Sequence, residues 1–180
     1  MAVRSKTVTG RTATRLFQAG IVLSMVGIFS GIFFVFVNTD LAVRIAAALL
    51  VGGVGIVSFF RHAIYFRSDQ ERMGWHQDRP EFQIEVGFAN LAIGIWALAA
   101  AVLNWGALTC GITLAVYGTY LFCTLVLHAK EARVEKALHH PADRERALRS
   151  AFSTGFFVLF LFAFAFVAFA KAGVVPVGGV

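Results

Sequence analysis

Five uninterrupted apolar stretches, residues 16–37, 41–64, 82–103, 107–127 and 151–170, decide what this chain can fold into. Each reaches the ~20 residues that a helix rising about 1.5 Å per residue needs to cross a hydrocarbon core about 30 Å thick. In lipid such a stretch has to satisfy its own backbone, which a helix does and a lone strand does not. The alternating pattern of a membrane barrel is absent. The expected fold is therefore all-α: one integral membrane domain over residues 1–180, a polytopic bundle of five transmembrane helices. Charged residues make up 14% of the chain, against about 25% in ordinary soluble domains, and this excludes a typical soluble enzyme.

The remaining charges are placed unevenly. Of 16 Lys and Arg residues, all but Arg44 and Lys171 lie in three segments: the tail 1–15, the connection with Arg61, Arg67, Arg72 and Arg79, and the loop 128–150. Basic residues in short loops stay on the cytoplasmic side. The expected topology is N-terminus cytoplasmic and C-terminus outside, in a bacterial inner membrane. The formal charge of +6 then reflects topology and attraction to anionic lipid headgroups, and nucleic acid is not an expected partner. The first span is too long for a cleaved signal and lacks a small-residue cleavage site, so it reads as a retained anchor. The acid-free tail rich in Arg, Ser and Thr also fits a mitochondrial presequence. Asn38 before the second span, and Asn104 with Gly106 after the third, carry cap and turn chemistry. Asp40 and Arg44 are expected to pair at the outer interface.

Polar and small residues recur at helical spacing on three of the spans. The second offers Gly55, Ser58, His62 and Tyr65; the third Gln83, Gly87, Asn90, Gly94, Ala97 and Ala101; the fourth Cys110, Thr113, Tyr117, Tyr120, Thr124 and His128. These faces should meet one another, because small residues permit close approach and polar groups then bond across the contact. His62, Glu85 and His128 fall at similar depth on the inner side. A carboxylate in hydrocarbon is costly, so Glu85 should be protonated, paired or open to water. The expected ligand-binding set is His62, Gln83, Glu85, Asn90, Tyr117, Thr124 and His128. Two imidazoles and a carboxylate suit a divalent transition metal, with His62, Glu85 and His128 as ligands, and equally a proton relay or a grip on a small polar solute.

The run Arg72, Met73, Gly74, Trp75, followed by Pro80, Glu81, Phe82, Gln83, Ile84, Glu85, Val86, Gly87, Phe88, Ala89, Asn90 and Leu91 to Gly94, resembles an uncharacterised family of small bacterial multi-pass membrane proteins. Its signature is Gly-Trp, then Pro-Phe-Gln-x-Glu-Val-Gly-Phe-Ala-Asn-Leu. The resemblance extends back to His62 and forward to His128. This chain departs from it by placing Glu81 between the proline and Phe82. The resemblance implies a shared site and no established activity.

Other features have plainer readings. His128, Glu131, Glu135 and His139 share a helical face with metal-ligand spacing, but their mixed-charge setting fits an interfacial helix. His139, His140 and Pro141 mark a break between helices. Cys110 and Cys123 are too differently directed on one helix to bridge locally. The Phe-rich last span should either face lipid all round or offer an apolar surface to a partner, and Ser24, Gly27, Ser30 and Gly31 give the first span a close-packing face that suits a homo-oligomer. Three functions fit: a cytoplasmic-side polar pocket that binds or passes a small ligand, proton or metal ion; an accessory or structural subunit whose polar residues only lock helices; or a metal-dependent membrane enzyme or redox carrier.

Overall fold

The computed structural model describes residues 10–73, 79–137 and 141–176. Among them are six helices and no strand: α1 (Arg11–Val35), α2 (Thr39–Ile64), α3 (Phe66–Met73), α4 (Glu81–Val102), α5 (Ala107–Ala137) and α6 (Pro141–Lys171). Five stretches are long and apolar enough to cross a membrane: Arg11–Val35, Thr39–Ile64, Glu81–Val102, Ala107–Lys130 and Leu148–Lys171. The turns form as their residues dictate. The Asn38 side chain accepts from Leu41 N at 3.1 Å and caps α2. Between α4 and α5, Asn104 (φ 54°) and Gly106 (φ 90°) take the left-handed backbone that Asn and Gly tolerate best. Gly74 and Trp75 of the resemblance, and His139 and His140, lie outside the described residues.

Helix α2 is central and packs against α1, α4, α5 and α6. Its buried stripe of Val43, Ala46, Ala47, Leu50 and Val51 joins Ala97, Leu114, Tyr117, Leu161 and Phe164 in one core. Against α4 the two backbones nearly touch. A Cβ on Gly55 would lie 2.7 Å from Asn90 O, one on Gly87 would lie 2.9 Å from Ala63 N, and one on Gly94 would lie 3.2 Å from Gly52 O. The small-residue stripes therefore meet as the sequence implies. In α1, by contrast, Gly27 faces Leu50 and Gly31 faces Phe164, so these glycines serve packing inside the chain and are not an outward face. The Phe-rich α6 is not used uniformly either. Leu161, Phe164, Ala165 and Ala168 form a buried stripe, while Phe152, Phe156, Leu159 and Phe166 point outward.

Two π-helical segments, Ala47–Gly53 and Phe60–Ile64, interrupt α2. The second ends where Tyr65 N donates to Phe60 O at 2.8 Å, and the chain then bends into α3. This wider turn re-aims the side chains at the end of α2, as π-segments commonly do near functional positions. At the opposite end of the bundle Asp40 and Arg44 do not pair with each other. Arg44 Nε donates to Ala101 O at 2.8 Å, and Asp40 Oδ2 lies 3.3 Å from Lys171 Nζ. The carbonyls at the C-terminus of α4 attract a cation more strongly than a solvated carboxylate one turn away, because they are otherwise without donors.

The α2–α4 contact leaves no room for a methyl group at Gly55. Gly55→Ala is expected to cost about 1–3 kcal/mol, whereas Gly155→Ala, whose Cβ would meet only Leu125 at an ordinary 3.5 Å, should be neutral or stabilising by up to about 1 kcal/mol. Thermal unfolding of both variants in detergent measures the difference.

Candidate functional site

The short helix α3 lies across the end of the bundle where α2 finishes and α1 and α4 begin. It carries one acidic side chain inward. Asp69 is fully buried, and donors from three helices close on it. His62 Nδ1 of α2 lies 2.8 Å from Oδ2 and Arg61 Nε 3.5 Å from Oδ1. Arg72 Nε, one turn on in α3, donates to Oδ1 at 2.9 Å. Gln83 Nε2 of α4 donates to Oδ2 at 3.2 Å. Helix α1 joins through its neighbour: Ala13 N, one of the N-terminal amides without a helical partner, donates to Ser68 Oγ at 3.1 Å. Both guanidinium groups also sit against the Phe17 ring of α1, at 4.8 Å for Arg72 and 5.5 Å for Arg61.

The geometry fixes a tautomer. Arg61 Nη2 is 2.7 Å from His62 Nε2, and a guanidinium can only donate. His62 Nε2 is therefore the acceptor, and Nδ1 carries the proton that faces Asp69. Burial by itself would push the Asp69 carboxyl up, but the hydrogen bond from His62 and the charges of Arg61 and Arg72 outweigh it and hold the group below its ordinary value. Two positive charges and one negative leave the cluster with net positive charge. Three buried atoms in it, Arg61 Nε, His62 Nδ1 and Gln83 Oε1, lack a partner in hydrogen-bond geometry, although Arg61 Nε and His62 Nδ1 lie in ion-pair contact with Asp69.

A second polar cluster lies deeper, where α2, α4 and α5 meet. Tyr117 OH donates to Asn90 Oδ1 at 2.9 Å, and Asn90 Nδ2 donates to Val86 O at 2.7 Å and to Tyr120 OH at 3.3 Å. Ser58 is a further hydrogen-bond partner of Tyr117. The two phenol rings stack at 6.1 Å. Asn90 and Tyr117 are both buried, and the carboxamide is satisfied on both its ends, so this cluster ties three helices together without an open valence.

The residues expected to form one pocket therefore separate. His62 and Gln83 meet at Asp69, and Asn90 and Tyr117 meet in the deeper cluster. Thr124 Oγ1 bonds back to Tyr120 O of its own helix at 3.3 Å, and His128 is half-buried on α5. Glu85 is exposed on the outer face of α4. Among the described residues no three His, Cys, Asp or Glu side chains come together as metal ligands, so His62, Glu85 and His128 are not assembled for that role. The acid that partners His62 is Asp69, which the sequence analysis does not single out. Its signal was weak but present: a lone Asp between Arg61 and Arg72, on the face of a short amphipathic segment. An apolar groove of ≈ 360 Å³, lined by Ile95, Leu98, Ala99, Val102 and Leu103, lies toward the other end of α4.

A family model described as a family of unknown function (DUF6790) matches residues 16–165, and the chain belongs to that family. No curated protein and no solved structure matches it. Its being uncharacterised agrees with the resemblance of the motif around Gln83 and Glu85.

Removing the charge from Asp69 would leave Arg61 and Arg72 buried against each other. Asp69→Asn is expected to destabilise the fold by about 3–5 kcal/mol, and the exposed Glu85→Gln by less than about 0.5 kcal/mol; equilibrium unfolding in mild detergent checks both. The lowered Asp69 value also gives a pH dependence with a definite sign. Its contribution is complete above the ordinary carboxylate range and is lost as pH falls through the lower folded-state value. Wild-type stability should therefore drop with acidification below about pH 4, and Asp69→Asn should flatten that part of the profile.

Proposed function

We propose that this DUF6790 member is a multi-pass integral protein of a bacterial inner membrane, with its N-terminus in the cytoplasm, and that it acts as an accessory or structural subunit. The membrane reading is supported by five helices of sufficient length and apolarity. The orientation is supported by Arg and Lys residues concentrated at the Asp69 end of the bundle, where they would also meet anionic headgroups. The bacterial setting rests on the resemblance of the motif.

The saturation of Asp69 carries the functional reading. Both carboxylate oxygens are occupied by donors of the chain itself, drawn from α2, α3 and α4. A site built to receive a ligand keeps a position open; this one is filled and joins helices. The Asn90 cluster is filled in the same way. A second reading, passage or binding of a proton or small polar solute, has one observation in its favour: the buried Arg61 Nε, His62 Nδ1 and Gln83 Oε1 lack partners in hydrogen-bond geometry. A metal-dependent enzyme has no assembled ligand set behind it among the described residues.

The two leading readings differ in a measurable way. Purified protein in vesicles enclosing a pH-sensitive dye should equilibrate an imposed pH step no faster than empty vesicles, and His62→Gln should behave identically. A flux in wild type that His62→Gln abolishes would replace the structural reading with proton passage. Reporter fusions at residue 176 should show a C-terminus outside the cytoplasm; a cytoplasmic signal there overturns the orientation.

A further inference from the structure

Glu85 needs an explanation that the chain itself does not supply. It is exposed on the outer face of a helix otherwise apolar enough to span a membrane, and among the described residues it has no ion-pair partner. Arg15 has a comparable position on α1: it is exposed, stands immediately before the apolar run that begins at Leu16, and has no ion-pair partner among the described residues. Their depths can be compared through α3. Ala13 bonds to Ser68, and Gln83 bonds to the adjacent Asp69, so the first turns of α1 and α4 both abut α3. Arg15 and Glu85 are each two residues further along helices that both start at this end, about 3 Å deeper into the bundle at the α-helical rise. Each of the two opposite charges is thus carried by the second turn of a helix that starts at this end.

They do not pair within one molecule. α1 and α4 both pack on α2 and have no extensive contact with each other. We infer that a second copy of this chain completes the pair: the outer face of α1 of one copy docks on the outer face of α4 of the next, and Arg15 of the first pairs with Glu85 of the second. This rests on the proposed membrane reading. Below the charges, the two faces are suited to one another. Arg15 heads an exposed apolar stripe that runs through Val22, Phe29 and Phe33, and Glu85 heads one that runs through Ala92 and Trp96. Ala92 is a small residue that admits a bulky neighbour, and close packing of that kind is what associates helices where no hydrophobic force acts between them. The other exposed cations at this end among the described residues stand elsewhere: Arg11 opens α1, Arg67 lies on α3, Arg79 precedes α4, Lys130 and Arg133 follow the apolar part of α5, and Arg149 pairs with Glu145. Because each copy offers two different faces on two sides of α2, the contact is head-to-tail, which gives a ring where the rotation closes and an open row of copies where it does not.

The test is charge reversal with the mass of the protein in nanodiscs or mild detergent, read by light scattering and native mass spectrometry. Wild type should be oligomeric. Arg15→Glu and Glu85→Arg should each weaken association about tenfold, the weight of one interhelical polar contact in lipid, and the double variant should restore it. Arg15→Gln and Glu85→Gln, which remove a charge without reversing it, should weaken association in the same direction and serve where a reversal variant does not fold. A monomeric wild type, single variants that associate as wild type does, or a folded double variant without recovery each overturn the proposal. A membrane-inserted, stable monomer would overturn this inference alone and leave the proposed structural role of the Asp69 network standing.

Discussion

A carboxylate without exposed surface has to be surrounded by donors, and the supply of donors around Asp69 sets how one end of this bundle is assembled. A buried unpaired charge would cost several kcal/mol, so α2 must end with Arg61 and His62 in reach, α3 must turn Asp69 inward, and α4 must begin with Gln83 beside it. Helix α1 is then placed by Ser68, which caps an amide of its first turn, and by Phe17 under the two guanidinium groups. No single one of these contacts is strong in isolation. Their weight comes from sharing one charge that has nowhere else to go.

The opposite end solves a related problem with weaker means. Arg44 meets the last carbonyls of α4, and Asp40 meets Lys171 at the end of α6. Both the Asp40 and Lys171 side chains are about half exposed, and exposed pairs contribute under about 1 kcal/mol. Between the ends, α2 and α4 are held by backbone contact at Gly52, Gly55, Gly87 and Gly94, and the Asn90 carboxamide ties α4 to α5. The molecule is thus most tightly specified at the Asp69 end and along the α2–α4 seam.

Much of this was legible in the sequence for reasons of period and composition. Apolar length gave the five long helices, and the recurrence of Gln83, Gly87, Asn90 and Gly94 marked the face that α4 buries. Asn38 and Asn104 declared their turns through backbone chemistry that is local. What sequence reasoning missed is non-local. Asp69 stands in a polar segment where an acid is ordinarily solvated, and only the fold of α3 against the bundle makes it the buried one. Arg44 was assigned to Asp40 because they are one turn apart, yet an orphan carbonyl 57 residues away is the better partner. Gly27 and Gly31 were legible as close-packing residues, but period alone does not say whether the neighbour is another helix of the same chain or of a second one.

The contrast between Asp69 and Glu85 carries the argument furthest. Both are acids at the same end of the bundle, and sequence position made Glu85 the more conspicuous, since it lies within an apolar span. The fold assigns them opposite circumstances. Asp69 takes every nearby donor, including the His62 and Gln83 that the spacing had suggested for Glu85. With Arg61 and Arg72 committed to the interior, no cation among the described residues pairs with the outward carboxylate. A lock that is complete inside the chain thus leaves a charge unanswered outside it, and in a low-dielectric solvent an unanswered charge at a helix surface is a demand for a partner.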